Sequence, residues 1–182
     1  MIVGIDASRN RSGGAEAYLI GILTEGDPVK HGISEIHVWG PRLLLNTIPD
    51  YQWLVKHSPP ELEQSLIKQL VWQAMQQARE AKAVGCDILF TTDASTLCRF
   101  KPMVVLSQDM LSYEPGVMRH FGLGKQRLRL ILILLLQNWA FRFADGVIFL
   151  THYAATVIQQ SCGTLKRVAY IPHGVGSDFK QI

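Results

Sequence analysis

Short aliphatic runs alternate along this chain with longer segments whose apolar residues recur at helical spacing. The runs at 2–5, 35–40, 43–48, 87–91, 103–106, 146–150 and 168–171 have the length and branched or aromatic content of strands. Residues 15–23 have the spacing of a helix. A second helix is announced by Ser58-Pro59-Pro60-Glu61, in which Ser58 caps, Pro59 suits the first turn and Glu61 completes a capping box. Its stripe of Leu62, Leu66, Leu70, Ala74 and Ala78, with Ile67, Val71 and Met75 alongside, predicts a buried face opposite the glutamines and charges. Gly85 ends it. A long helix follows from about Arg119 to Ala144, and Thr151 caps another that runs to Cys162. Uniformly apolar strands alternating with helices predict an α/β fold, a Rossmann-like parallel sheet with helices on both faces.

In such sheets ligands bind beyond the carboxyl ends of the strands. The polar residues collect in the loops expected there, at 9–14, 91–96, 107–116 and 151–153. Gly13 and Gly14 stand between the first strand and its helix. Glycines there let the backbone bend and turn consecutive N–H groups toward an anion at the positive end of the helix dipole. A phosphate-bearing ligand is the expectation, although the dinucleotide fingerprint GxGxxG is absent. Asp6 either orients this loop or simply forms the turn. Asp93 and Ser95 are candidates for ligand contact, and TDAST is equally suited to cap a helix. Gln108, Asp109, Tyr113 and Glu114 supply an amide, two carboxylates and a ring, a set able to hold and deprotonate a ligand hydroxyl. His152 fits the first turn of a helix better than a cleft.

Composition narrows the field. The chain has 182 residues, 48% hydrophobic and 18% charged, enough for one domain with a full core. A net charge of +3 does not by itself imply nucleic-acid binding. Cys86, Cys98 and Cys162 share no metal or redox spacing and read as reduced thiols of a cytoplasmic protein. The histidines form no HxH or HxxxH pair, so neither metal nor cofactor is expected. No leader is visible. The longest apolar run, Leu130 to Leu136, has seven residues against the ~20 a bilayer span needs.

Taken in order, GIDASRNRSGG, VWG, IPDYQWL, GCDILF, SQDMLSYEP, LRLILILLLQ, ADGVIFLTHYA and YIPHGVGSDF resemble the amino-terminal half of bacterial retaining glycosyltransferases. These are group 1 enzymes of the two-domain GT-B type, active in polysaccharide or lipopolysaccharide biosynthesis. The resemblance implies an acceptor-side domain at 1–172 and the start of an interdomain linker at 173–182, with His173 and Gly174 at the hinge. The second domain, which holds most of the nucleotide-sugar, is absent, so this fragment alone is expected to be inactive. Gly13 and Gly14 would approach the donor diphosphate. Asp109 and Glu114 would be catalytic, and Gln108, Tyr113, Asp93 and Ser95 would hold a saccharide or lipid-linked acceptor. Many members carry a histidine where this chain has Ser107-Gln108-Asp109, which puts the histidine-based version of the mechanism in doubt.

Arg119, Lys125, Arg127 and Arg129 precede the apolar run LILILLL. Cations beside an apolar surface suit peripheral contact with anionic lipid at the inner face of the membrane; the competing reading is a core helix with a solvated first turn. Two other classes stay open. One is a stand-alone nucleotide- or phosphate-binding module, the other a non-catalytic interaction domain with a transferase-like fold.

Overall fold

Strands β1 (Ile2–Asp6), β2 (Glu35–Trp39), β3 (Leu54–His57), β4 (Ile88–Thr91), β5 (Met103–Ser107), β6 (Gly146–Phe149) and β7 (Val168–Tyr170) form one sheet. Their order is β3-β2-β1-β4-β5-β6-β7, in a computed structural model that describes residues 1–10, 13–122 and 124–174, with Arg119 by its backbone alone. Every neighbouring pair is parallel, so all carboxyl ends meet one rim. In register, Asp6 lies opposite Trp39 on one side and Thr91 on the other. The strand order reverses direction between β1 and β4, the place where open α/β sheets form a ligand crevice.

The helices are α1 (Gly14–Glu25), α2 (Arg42–Thr47), α3 (Leu66–Trp72), α4 (Ala78–Ala83), α5 (Val117–His120), α6 (Lys125–Phe143) and α7 (His152–Cys162). Two apolar clusters form the core. One gathers Leu19, Leu23, Ile36, Val38, Leu44 and Leu45 with Ile5; the other gathers Trp39, Trp72, Leu89, Val105, Phe141, Phe149 and Ile158. In β2, Ile36 and Val38 belong to the first cluster and Trp39 to the second, as the alternation of side chains across a sheet requires.

Three sequence expectations are corrected. The segment 43–48, expected as a strand, lies in α2, with Leu44 and Leu45 buried and Leu43 77% exposed. Pro41 precedes its first turn, and leucines favour the helix. The strand that does pair beside β2 is Leu54–His57. Second, Ser58 caps no helix: Pro60–Glu63 is a 3-10 turn, and Glu63 Oε1 instead accepts the Arg42 N–H at 2.7 Å. Third, the long helix of 119–144 is divided into α5 and α6 around Gly122, which has a φ of +52°. Two boundaries hold as expected. The Thr151 hydroxyl accepts from Ala154 N–H at 3.1 Å, and Gly85, with a φ of +77°, follows α4.

The largest departure concerns the segment from α3 to α4, whose two halves are joined by a π turn at Gln73–Gln77. Its buried face is Gln69, Trp72, Gln73, Gln77 and Ala81, while Leu66, Ile67, Val71 and Met75 are more than half exposed. Leu66 of the predicted stripe and the adjacent Ile67, Val71 and Met75 therefore face outward, whereas Leu62 is fully buried and Ala78 packs on the core. Polar groups already buried in the sheet account for this, because each needs a partner once water is excluded. Glu80 illustrates the point. Its Oε2 accepts the Trp39 indole N–H at 2.9 Å and its Oε1 accepts that of Trp72 at 3.0 Å, and both indoles are fully buried.

Beside them, His37 Nδ1 and His57 Nε2 are 2.8 Å apart, and the His57 ring stacks on Trp39. Burial, with the neighbouring His37, holds the His57 pKa below the usual imidazole value. Replacing Glu80 by Gln leaves one acceptor for two buried indole donors. Glu80→Gln should lower the unfolding free energy by about 1–3 kcal/mol in urea titration, the cost of one orphaned buried donor. An unchanged midpoint would mean that the carboxylate is not what satisfies the two indoles.

Candidate functional site at the carboxyl rim

Asp6 ends β1 beneath the crevice and is 2% exposed. Its Oδ1 accepts the Ser8 N–H at 3.1 Å, and its Oδ2 accepts from Gln73 Nε2 at 3.2 Å and from the Thr96 hydroxyl at 3.3 Å. Gln73 Nε2 also donates to Ser8 Oγ at 2.8 Å. Burial pushes the Asp6 carboxyl above the ordinary carboxylate range. Ser8 and the nearby Gln77 amide pull it down, the latter without full hydrogen-bond geometry, and the Asp93 charge adds to the rise. Asp6 thus does orient the first loop, from within the core. Thr92 closes the other side, with its hydroxyl 3.1 Å from the Asp6 carbonyl and 2.9 Å from Asn10 Oδ1. Asn10 Nδ2 donates at 3.1 Å to the carbonyl of Ala15, in the first turn of α1.

Above this polar floor, Arg9 Nε donates to Asp93 Oδ2 at 2.8 Å, which joins the loops after β1 and β4 across the switch point. The pair is partly open to solvent, with side-chain exposures of 22% and 30%. Asp93 Oδ1 also accepts the Ser95 N–H at 2.7 Å. Asp93 therefore faces the crevice as half of an ion pair. Ser95, expected at an acceptor, is corrected: it is 3% exposed, within the wall of the loop. The loop it belongs to caps no helix and runs without regular structure to β5.

Gly13 and Gly14 open α1. Gly13 has a φ of +75°, a left-handed value that only glycine adopts without strain, whereas Gly14 is the first helical residue. A Cβ at either position would meet nothing within 4 Å, so this corner faces open space. Among the described residues no side chain caps the helix, which leaves its first N–H groups open to solvent or a ligand. Arg11 and Ser12 lie outside the described residues.

The loop after β5 is divided. Asp109 is exposed, with Oδ1 accepting the Leu111 N–H at 2.8 Å. Glu114 Oε1 accepts the Tyr153 hydroxyl at 2.9 Å, which ties this loop to the start of α7. Gln108 is half-buried, and its amide nitrogen is buried without a hydrogen-bond partner. Tyr113 is corrected: it is 8% exposed and belongs to the core, and its hydroxyl lies 2.9 Å from Asn138 Oδ1 of α6. Burial raises its pKa, and the ring is not available to a sugar. His152 packs its ring 3.8 Å from that of Tyr170. At the expected hinge, His173 meets Tyr18 of α1 edge-on at 4.8 Å, Gly174 has open space around it, and 175–182 lie outside the described residues.

Sequence reasoning located these rim loops but missed Arg9, Gln73, Thr96 and Tyr153. Gln73 carried no signal, because helical spacing placed it on the solvent face. Among the described residues no group of three or more His, Cys, Asp or Glu is placed to hold a metal ion. No helix among them is long and apolar enough to cross a membrane. On α6, Leu128, Leu132 and Leu135 are 53–60% exposed and Ile131 37%, one turn apart on an outward stripe beside Lys125, Arg127 and Arg129.

The fold is a Rossmann-like parallel α/β sheet. Two solved structures share it: Anabaena Alr3699/HepE in complex with UDP-glucose, and the same protein in complex with UDP and glucose. Each is 20% identical to this chain with a TM-score of 0.57, over 96% of this chain and 44% and 45% of theirs. The chain spans less than half the length of the proteins it matches. No family model and no curated protein matches it.

The two glycines separate structural from ligand effects. Gly13→Val should destabilise the fold by roughly 1–3 kcal/mol through its positive φ. Gly14→Val should leave the melting temperature within about 2 °C, since most surface changes stay within roughly 0.5 kcal/mol. Thermal denaturation decides, and equal losses would mean that Gly14 too carries a backbone constraint.

Proposed function

We propose that this chain is the acceptor-side half of a retaining glycosyltransferase, in which a sugar passes from a nucleotide-sugar to a saccharide or lipid-linked hydroxyl. The observation that carries this reading is the uncapped glycine corner of α1 opening on the β1–β4 crevice beside the Arg9–Asp93 pair. The Anabaena structures, one holding UDP-glucose and the other UDP and glucose, support a donor of that class.

Transfer with retention requires that the leaving diphosphate be stabilised while the acceptor hydroxyl is held against the sugar. The Gly13–Gly14 corner offers backbone N–H groups and the helix dipole to that diphosphate, preorganised and without a side chain in the way. Asp109 and Glu114 serve the acceptor. Asp109 commits one oxygen to the Leu111 N–H, which orients the carboxylate and leaves the other oxygen for a hydroxyl. Glu114 is aimed by the Tyr153 hydroxyl. Gln108 brings an amide nitrogen that lacks a partner within the protein. His173 and Gly174 act as the hinge toward a second, donor-binding domain, without which the fragment is inactive.

In a full-length enzyme containing this half, Asp109→Asn and Glu114→Gln keep shape and remove charge. Loss of whichever carboxylate positions or deprotonates the hydroxyl should lower turnover by roughly 100-fold, the scale of general-base catalysis, with nucleotide affinity by calorimetry unchanged. Full turnover in both variants, or loss of nucleotide binding instead, would remove this loop from the acceptor site.

The exposed stripe of α6 extends the reading to the membrane surface. The helix carries Lys125, Arg127 and Arg129 near its start, just after Arg119, and no acidic residue, so the charge of this end complements an anionic lipid surface. Each cation near such a surface contributes about 1 kcal/mol at low salt. Cosedimentation with anionic vesicles should exceed that with neutral ones, fall as salt rises, and weaken in Leu132→Gln/Leu135→Gln. Equal sedimentation with both vesicle types would leave α6 without this role.

A further inference from the structure

At the opposite rim, where β5, β6 and β7 begin, lies a cleft of about 430 Å³ lined by Lys101, Arg142, Lys166 and Arg167 against the single acid Asp145. We propose that this cleft binds a compact phosphate-bearing anion of at least two negative charges, of the phosphate monoester or pyrophosphate class. Its cations come from three separate places in the chain: the turn two residues before β5, the end of α6 and the loop between α7 and β7. Such a convergence of like charge in the folded protein is unfavourable until an anion offsets it.

The cations are not matched by Asp145. Lys101 Nζ donates to Asp145 Oδ1 at 3.2 Å and to the Phe143 carbonyl, and it lies 4.2 Å from the centre of the Phe143 ring. Asp145 Oδ2 accepts the Met103 N–H at 2.9 Å. Burial would raise the Asp145 carboxyl, yet that N–H, Lys101 and Arg167 together hold it below its ordinary value. The acid is therefore ionised and neutralised largely by Lys101.

Three cations remain. Arg142 spends only Nε, on the Cys162 carbonyl at 2.6 Å, which fixes the guanidinium plane and leaves its two terminal nitrogens for a bidentate acceptor. The side chains of Lys166 and Arg167 are exposed and make no hydrogen bond among the described residues, and Arg167 acts on Asp145 only through its charge. A monovalent carboxylate would leave most of this charge unopposed, whereas a phosphate dianion or pyrophosphate matches it in charge and in the planar fork of Arg142.

This site is separate from the glycine corner. The five residues of β5 alone put about 16 Å between the two rims at ~3.3 Å per residue. The proposal therefore stands independently of the glycosyltransferase reading. A free phosphate compound and a phosphate-bearing lipid headgroup present the same chemistry, and the experiment distinguishes them.

Pyrophosphate titrated into the 182-residue chain by calorimetry, against sodium chloride of matched ionic strength, should give saturable binding. Lys166→Gln/Arg167→Gln, which changes only exposed side chains, should weaken it about tenfold or more, on the scale of losing one or two charged hydrogen bonds. Lys30→Gln/Lys82→Gln removes the same charge elsewhere and should leave the affinity unchanged. No saturable binding, or equal weakening in both double variants, would overturn the site. With binding established, phosphatidic acid vesicles identify the source. Cosedimentation lost in Lys166→Gln/Arg167→Gln assigns the anion to a headgroup, and cosedimentation unchanged by it assigns a free phosphate compound.

Discussion

A carboxylate buried at the end of the central strand must find its hydrogen bonds within the protein, and the architecture around the crevice follows from how Asp6 does so. It draws on the backbone of its own loop through Ser8, on the loop after β4 through Thr96, and on the helical segment between β3 and β4 through Gln73. Three pieces distant in sequence are thereby held to one point beneath the switch between β1 and β4. Desolvation alone would drive such a group to its neutral form, and it does raise the pKa; the bonds partly offset that cost.

The inward turn of Gln73, between α3 and α4, follows from the same constraint. Gln69, Gln73 and Gln77 are turned inward, so the apolar residues of that segment are left outside. The π turn at Gln73–Gln77 fits this arrangement, because one widened turn shifts the phase of the helix where the polar contacts fall. Outward Ile67 and Val71 on α3 and Met75 in the π turn are the consequence, and their exposure parallels that of Leu128, Leu132 and Leu135 on α6.

The two rims of the sheet divide the chemistry. At the carboxyl rim stand the Arg9–Asp93 ion pair, the glycine start of α1 and the carboxylates of Asp109 and Glu114, above a hydrogen-bonded polar floor around Asp6. At the amino rim a cationic cleft has one neutralised acid and spare positive charge. Both follow from parallel pairing, which places every β-to-α loop on one side and every α-to-β joint on the other.

The sequence by itself determined the parallel α/β fold, six of its seven strands, the Thr151 cap, the end of α4 at Gly85 and the glycine corner of α1. These are local properties: aliphatic runs, turn residues and capping groups act on neighbours a few positions away. Tertiary structure alone decided that 43–48 is helix and 54–57 the strand, since pairing with β2 and not local propensity selects between them. It also decided which way amphipathic segments face. The helical spacing of Leu66, Leu70 and Ala74 promised a buried stripe, but the Asp6 carboxylate takes Gln73 as a partner and the buried indoles of Trp39 and Trp72 take Glu80. The candidate site divided in the same way. Gly13, Asp109 and Glu114 stand at the rim because loop position alone put them there, whereas Tyr113 and Ser95 are enclosed by contacts with α6 and the β4 loop, which no spacing along the chain encodes.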